Sequence, residues 1–396
     1  MRSIISEVVI FIPKWIFHKI RRIFVLFCKR LPLRDDILVF RSEGDFSDNS
    51  RALYEYLMSQ DDKKRIFIWL VENPHKYPKR NNTIFLSPSR GLRFRYFYYI
   101  NVAKNIIETH NLTQISVRLG QNYICLWHGI PMKKNKDEGK VVLPPMFTHL
   151  LCSSVHMIPH MAGILHCDEK NVIPLGFPRN DVLLNNKSKG LYNPLAIKGS
   201  YEKVIIWMPT FRASINPVLS ETLVDTNTGL PLLTNFESIK LLSNYCKSKK
   251  LLIIIKIHHL QADKDIFNMQ FDNLLFIQDE QLQEKRIQLY EMIGKTDALI
   301  TDYSSVFIDY LLLNKPMGFI ATDFDDYEKT RGVPFADFLE KVPGQLIYSI
   351  DDLKLFLNNV LEDTDLYEEK RMKLLPIFHD YTDAHSCRRI QNYFNL

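Results

Sequence analysis

The stretch Asp297–Leu313, DALITDYSSVFIDYLLL, decides the fold. Ala298-Leu299-Ile300 is an uncharged apolar run, the pattern of a parallel strand buried on both faces. Thr301-Asp302-Tyr303 turns the chain into Ser304-Ser305, after which Val306, Ile308, Tyr310, Leu311 and Leu312 read as a largely apolar helix. Two hydroxyls therefore stand at a helix start, where the first N–H groups have no partner inside the helix. Such a turn suits an anion, phosphate above all. It suits equally a serine that only caps the helix.

Outward from this unit the same alternation of strand and helix repeats in both directions. Upstream, strands are expected at Ile37–Phe40, Arg65–Val71, Thr83–Leu86, Val102–Glu108 and Tyr123–Trp127, with helices at Ser50–Met58 and Gly91–Ile100. Further short apolar runs lie at Phe147–Cys152 and Asn171–Leu175, and turn-rich Asn185–Ser200 reads as a loop between units. A second series follows, with strands at Val204–Met208, Leu251–Ile257, Leu274–Ile277, Met317–Ile320 and Leu346–Tyr348. Helices are expected at Phe236–Lys247, Gln281–Ile293, Asp351–Leu361, Leu366–Leu375 and Ser386–Phe394. This pattern implies two doubly wound α/β domains with a cleft between them, since 396 residues exceed one ordinary core. The expected division is residues 1–33, 34–150 and 151–396, with a hinge in Pro144–Ser154 and the last helix a candidate to cross back.

Hydrophobic residues make up 46% and charged residues 24%, which excludes a disordered chain. A net charge of +6 fits an anionic substrate or membrane surface, but falls short of a nucleic-acid binder. The six cysteines form no C-x-x-C pair and mostly sit in apolar runs, as buried thiols of a reducing compartment do. Residues Met1–Leu33 differ from the rest. Seven cations and one acid, Glu7, are interspersed with Val8–Ile12, Trp15–Phe17 and Ile23–Phe27. No run reaches the roughly 20 apolar residues of a membrane span. A basic, aromatic, amphipathic segment can instead lie among anionic headgroups, or pack on the core with its charges in solvent.

Polar residues gather where strands end, the place where open α/β sheets bind ligands. His128 follows a strand and precedes Gly129, with Lys133 and Lys134 beyond; it is well placed as a general base, while on its own it reads at least as readily as a histidine hydrogen-bonded in a loop. Lys256 and His258 alternate onto one face of a strand and suit an anion, whereas no carboxylate has metal-ligand spacing beside His258-His259. Thr210 and Arg212 offer a hydroxyl and a guanidinium to phosphate. Gly176-Phe177-Pro178-Arg179-Asn180-Asp181 reads as a rigid turn displaying a polar edge, and Arg331-Gly332 completes the set.

Taken in order, Trp127-His128-Gly129…Pro131…Lys133-Lys134, Gly176…Pro178-Arg179-Asn180-Asp181, Pro209-Thr210-Phe211-Arg212, Lys256…His258, Thr301–Ser305 and Arg331-Gly332 resemble the CDP-glycerol glycerophosphotransferase family. That family comprises primases and polymerases of wall teichoic acid and related capsule polymerases. The resemblance runs from near Gln121 to near Gly344. It implies a GT-B-like fold of two Rossmann-type domains. It implies transfer of glycerol or ribitol phosphate from a CDP-alditol to a lipid-linked, oligosaccharide or polymer hydroxyl, at the cytoplasmic membrane face. His128 and His258 would be catalytic. Lys133, Lys134, Arg179, Asn180, Thr210, Arg212, Lys256, Ser304, Ser305, Asp309 and Arg331 would bind substrate, Asp309 at the ribose hydroxyls. No metal ligand or other cofactor is assigned, and a need for a divalent metal is left open. His259 departs from the family's usual proline. Rival readings are a GT-B glycosyltransferase using a nucleotide-sugar and a non-catalytic membrane adaptor. A binding module has no use for histidines at strand ends.

Overall fold

The computed structural model describes residues 14–60, 64–89, 93–113, 115–132, 145–187, 197, 199–210, 227–258, 261, 265–330, 332–333 and 337–396. Two parallel sheets organise them. The first contains β1 (Arg34–Arg41), β2 (Ile66–Leu70), β3 (Thr83–Leu86), β4 (Ala103–Glu108), β5 (Asn122–Cys125), β6 (His149–Cys152) and β7 (Val172–Pro174), in the order β3-β2-β1-β4-β5-β6-β7. The second contains β8 (Lys203–Trp207), β9 (Leu251–Lys256), β10 (Leu274–Ile277), β11 (Ala298–Thr301), β12 (Met317–Ile320) and β13 (Gln345–Ile347), in the order β10-β9-β8-β11-β12-β13. These are short apolar runs, and Leu251–Ile255 and Ala298–Thr301 are fully buried, as strands covered on both faces must be. In each sheet the strand order reverses once, between β1 and β4 and between β8 and β11. Ligand crevices of doubly wound sheets lie beyond the carboxyl ends of the strands at such reversals.

The division between domains differs from the expected one. β6 and β7 extend the first sheet, so the crossing into the second sheet lies between Asn186 and Lys203 rather than in Pro144–Ser154. A short apolar run identifies a buried strand without naming the sheet it joins. Two local readings also change. The turn at Gly176–Asp181 opens a helix, Pro178–Asn185, with proline at its first position, where its missing N–H costs nothing. The single helix expected over Gln281–Ile293 is two, Asp279–Glu284 and Leu289–Gly294, broken where Arg286 takes a left-handed φ of 59°. The break serves the seam between domains, because the Arg286 carbonyl accepts a 2.8 Å hydrogen bond from Arg51.

That seam is short-range and polar at its centre. Helix Pro178–Asn185 packs on helix Leu289–Gly294 so closely that a side chain at Gly294 would sit 2.6 Å from the Leu183 carbonyl oxygen. Gln288 donates to Glu55 at 2.8 Å. Arg179, 6% exposed, reaches Asp309 at 2.6 Å and Asp48 at 3.2 Å, with its guanidinium 4.7 Å from the centre of the Tyr290 ring. Tyr290 donates to the same Asp309 oxygen at 2.5 Å. Burial works against the charge of Arg179, but Asp309, Tyr290 and Asp48 outweigh it and hold the guanidinium protonated. The last helix, Ser386–Phe394, returns to the first domain, where Asp181 accepts from the amides of Ser386 and Cys387 at 2.8 and 2.7 Å.

Removing one partner of a buried ion pair strands the other. Asp309→Ala should therefore lower the unfolding free energy by about 3–5 kcal/mol. Adding Arg179→Met, which removes the stranded charge, should recover part of that loss. Chemical denaturation of the two variants checks this. Additive losses in the double variant would show that the pair is not the tie between domains.

Candidate active site

Strand register brings the first half of the site together. Arg41 pairs with Glu108, and Glu108 with Cys125, so the carboxyl ends of β1, β4 and β5 are level. The residues just beyond them are Glu43, Thr109-His110 and Trp127-His128. His110 stacks on His128 with ring centres 4.5 Å apart and planes inclined by 12°. Trp127 contacts both rings, at 5.1 Å from His110 and 4.5 Å from His128. Glu43 accepts from His110 Nε2 at 2.9 Å, and Thr109 Oγ1 lies 2.9 Å from His110 Nδ1. The loop holding His128 is sharply bent, with φ of 51° at Trp127 and 110° at Gly129. A positive φ at tryptophan is strained and persists only where neighbours impose it. Here Asn49 donates to the Trp127 carbonyl at 2.7 Å and accepts from the Arg179 amide at 2.9 Å.

The second half stands at the reversal of the other sheet. Asp302, 1% exposed, accepts from the amide of Thr210 at 3.0 Å and from its hydroxyl at 2.8 Å, clamping the end of β8 to the end of β11. Ser304 and Ser305 follow. Ser305 does not cap the helix that it precedes, and neither serine hydroxyl bonds to another of the described residues. The helix itself, Val306–Tyr310, is one short turn continued by a tight turn, so little dipole acts there. What this turn offers an anion is its hydroxyls and first amides rather than a helix dipole. Gly129 joins the halves. A side chain there would overlap the Arg179 guanidinium and come within 3.7 Å of Ser305 Oγ, so only glycine lets the His128 loop close on the serine turn. His258 stands on the same edge of the second sheet, beyond β9. One strand separates β9 from β11, about 10 Å along the sheet.

Several expected site residues are placed otherwise. Arg179 and Asp309 bind each other, so Asp309 turns inward and is not aimed at a ribose; four residues past Ser305, it falls on the buried face of the helix. Asn180 is 2% exposed and its Oδ1 meets no partner, because the polar edge expected of a turn became the inner side of a helix. Lys256, 5% exposed, pairs with Asp279 at 3.0 Å and donates to the Ile257 carbonyl at 2.7 Å, so it anchors the loop that holds His258. Lys133, Lys134, Arg212, Arg331 and His259 lie outside the described residues. Sequence reasoning missed Glu43, His110 and Asn49. The available signal was the one used for His128: polar residues directly after buried strands. Beside the site, Ile130, Met132, Phe307, Phe338, Leu374 and Phe378 help line an apolar cavity of about 230 Å³, which borders both loops. Among the described residues no cluster of three or more His, Cys, Asp or Glu side chains could hold a metal ion.

Comparisons with known proteins identify the family and the fold. The model of the family described as CDP-Glycerol:Poly(glycerophosphate) glycerophosphotransferase matches residues 23–395. A teichoic acid poly(glycerol phosphate) polymerase of Staphylococcus epidermidis is 26% identical over 89% of this chain and 49% of its own length. The teichoic acid ribitol-phosphate polymerase TarL of Staphylococcus aureus is 28% identical, and 61% of it is covered. The chain thus spans about half to three-fifths of those relatives. It spans 97% of a Staphylococcus aureus teichoic acid glycerol-phosphate transferase, at 25% identity over 96% of this chain. The solved wall teichoic acid polymerase TagF superposes with a TM-score of 0.74 at 22% identity, over 96% of this chain and 93% of that one, and so shares the two-domain GT-B-like fold. By its matched length and by the two strand edges that meet at Gly129, the chain belongs to the CDP-glycerol:poly(glycerophosphate) glycerophosphotransferase family.

Proposed function

We propose that this protein transfers glycerol phosphate or ribitol phosphate from a CDP-alditol to an acceptor hydroxyl, releasing CMP, in the synthesis of a teichoic-acid-like polymer. The observation that carries this reading is the approach of Gly129, the residue after His128, to Ser305, whose hydroxyl does not cap its helix. Phosphoryl transfer needs positioning and anion stabilisation more than covalent help. In this reading His128 takes the proton of the acceptor hydroxyl as its oxygen bonds to the alditol-linked phosphorus. The phosphorus–oxygen bond to CMP breaks, and His258 stabilises the transferred phosphate or protonates the leaving group. Ser304, Ser305 and the first helix amides hold the diphosphate. Thr210 is fixed by Asp302 at the edge of that site. By the sequence resemblance, Lys133, Lys134, Arg212 and Arg331 would add positive charge for the same phosphates.

The same reading places the protein on the cytoplasmic face of the membrane with a lipid-linked acceptor. Helix Lys14–Cys28 packs on helix Phe94–Val102 through Phe24, 5.0 Å from Phe94, and Arg21 stands over Phe97 at 5.4 Å. Its other side exposes Ile20, Ile23, Leu26 and Phe27, each more than two-fifths accessible, among Lys19, Arg22 and Arg30. An exposed apolar stripe flanked by cations suits an anionic interface. No helix among the described residues is long and apolar enough to cross a membrane.

His128→Ala should reduce turnover by about 10²–10⁴-fold while leaving calorimetric affinity for CDP-glycerol or CDP-ribitol nearly unchanged. Ser304→Ala with Ser305→Ala should do the reverse, weakening donor binding by about tenfold for the hydrogen bonds lost. Equal affinity in the double serine variant would remove the diphosphate role. Ile23→Asp with Phe27→Asp should release the protein from anionic vesicles in a co-sedimentation assay. Salt should weaken the wild-type binding, because part of it is Coulombic. Unchanged sedimentation of the double variant would remove the membrane role of this helix.

A further inference from the structure

His110 lies on no motif that points to the reaction, yet its ring covers the face of His128. Its own surroundings give each ring nitrogen a partner. The Glu43 amide donates to Thr109 Oγ1 at 3.2 Å. The Thr109 hydroxyl has one hydrogen to give, and His110 Nδ1, 2.9 Å away, can accept it. In that arrangement His110 Nε2 carries the ring proton and donates it to the Glu43 carboxylate at 2.9 Å. Each donor in this loop of three bonds then has one acceptor. The remaining charged groups nearby have other partners. Arg41 donates to the Leu112 carbonyl and to Thr113, Glu108 accepts from Thr113 and Tyr123, and Arg179 is held by Asp48 and Asp309.

We propose that His110, held by Glu43, is a positioning residue that stabilises the protonated form of His128. An aromatic face stacked at 4.5 Å fixes the plane of the His128 ring before reaction. When His128 accepts the proton of the attacking hydroxyl, it becomes an imidazolium against a π face backed by a carboxylate. The Glu43 charge acts through the His110 ring, so the stack does from the side what a carboxylate bonded in the ring plane does elsewhere. It raises the basicity of His128 without occupying either of its nitrogens. This inference rests on His128 being the base.

The test is the pH dependence of kcat for the full chain with a CDP-alditol and a glycerol-phosphate-terminated acceptor. Neutral His128 is the active form, so kcat rises with pH through its pKa to a plateau. Losing the Glu43 charge makes the imidazolium less stable. In Glu43→Gln the rising limb should therefore move to lower pH by about half a unit, with a lower plateau. His110→Ala should lower the plateau about tenfold, with KM for the donor unchanged within about twofold. His110→Phe, which keeps the face but loses the link to Glu43, should retain more of the rate and show the limb of Glu43→Gln. Wild-type plateaus and limbs in these variants, beside an inactive His128→Ala, would overturn the role of His110 and leave the base intact. A fall of kcat, affinity and melting temperature together in His110→Ala, with Glu43→Gln unchanged, would reduce His110 to packing and also overturn it. Activity in His128→Ala above about a tenth of wild type would remove the base itself.

Discussion

The structure depends on one buried cation. Arg179 starts in the first domain, and two acids from different domains, Asp48 and Asp309, neutralise it beneath the site. A guanidinium with so little exposure is tolerated only where its charge is matched; here both terminal nitrogens bond carboxylates, while the buried Nε meets no partner. The match requires that the helix bearing Asp309 meet the helix bearing Arg179, which sets the approach of the two sheets. It also draws in Tyr290, whose hydroxyl stays protonated far above its usual range because it is buried, with Asp309 adding to the effect against Arg179. The tie therefore specifies an arrangement as well as contributing stability. It holds the His128 loop from one side, through Asn49 and Gly129, and the serine turn from the other, through Asp309.

Above that tie the chemistry follows from topology. Parallel strands all end at one edge, and both sheets turn that edge toward the same cleft. At the first reversal stand Glu43 and His110, with His128 one strand further on. At the second stand Thr210, Asp302, Ser304 and Ser305. One edge thus supplies a group that can move a proton, and the other supplies donors for an anion. A sugar-transfer site must shelter a carbocation-like centre, commonly with carboxylates. Here Asp302 bonds Thr210, Asp309 bonds Arg179 and Glu43 bonds His110. That distribution favours a centre that stays anionic throughout, as a transferring phosphate does.

The sheets were legible in the sequence because doubly buried strands are written as uninterrupted apolar runs. Leu274–Ile277 and Met317–Ile320 coincide with their expected limits. Sheet membership was less legible. β6 and β7 have the same composition as strands of either sheet, and only pairing assigns them to the first. The positions of His128, Thr210 and the serine turn at strand ends could also be read from sequence. The duties of Arg179, Asp309 and Lys256 could not. A charged residue next to a motif looks the same whether it faces a ligand or a partner 130 residues away, and its role depends on long-range packing. His110 was hidden for a related reason, since a stack across two loops leaves no local spacing to find.

The central claim is that the bond broken lies at phosphorus, so that one phosphate stays with the alditol. Ion-pair chromatography of the nucleotide released from CDP-glycerol or CDP-ribitol during turnover tests it directly. The account predicts CMP, formed in equal amount to the glycerol phosphate or ribitol phosphate joined to the acceptor. CDP as the released nucleotide, with CMP absent, would contradict it.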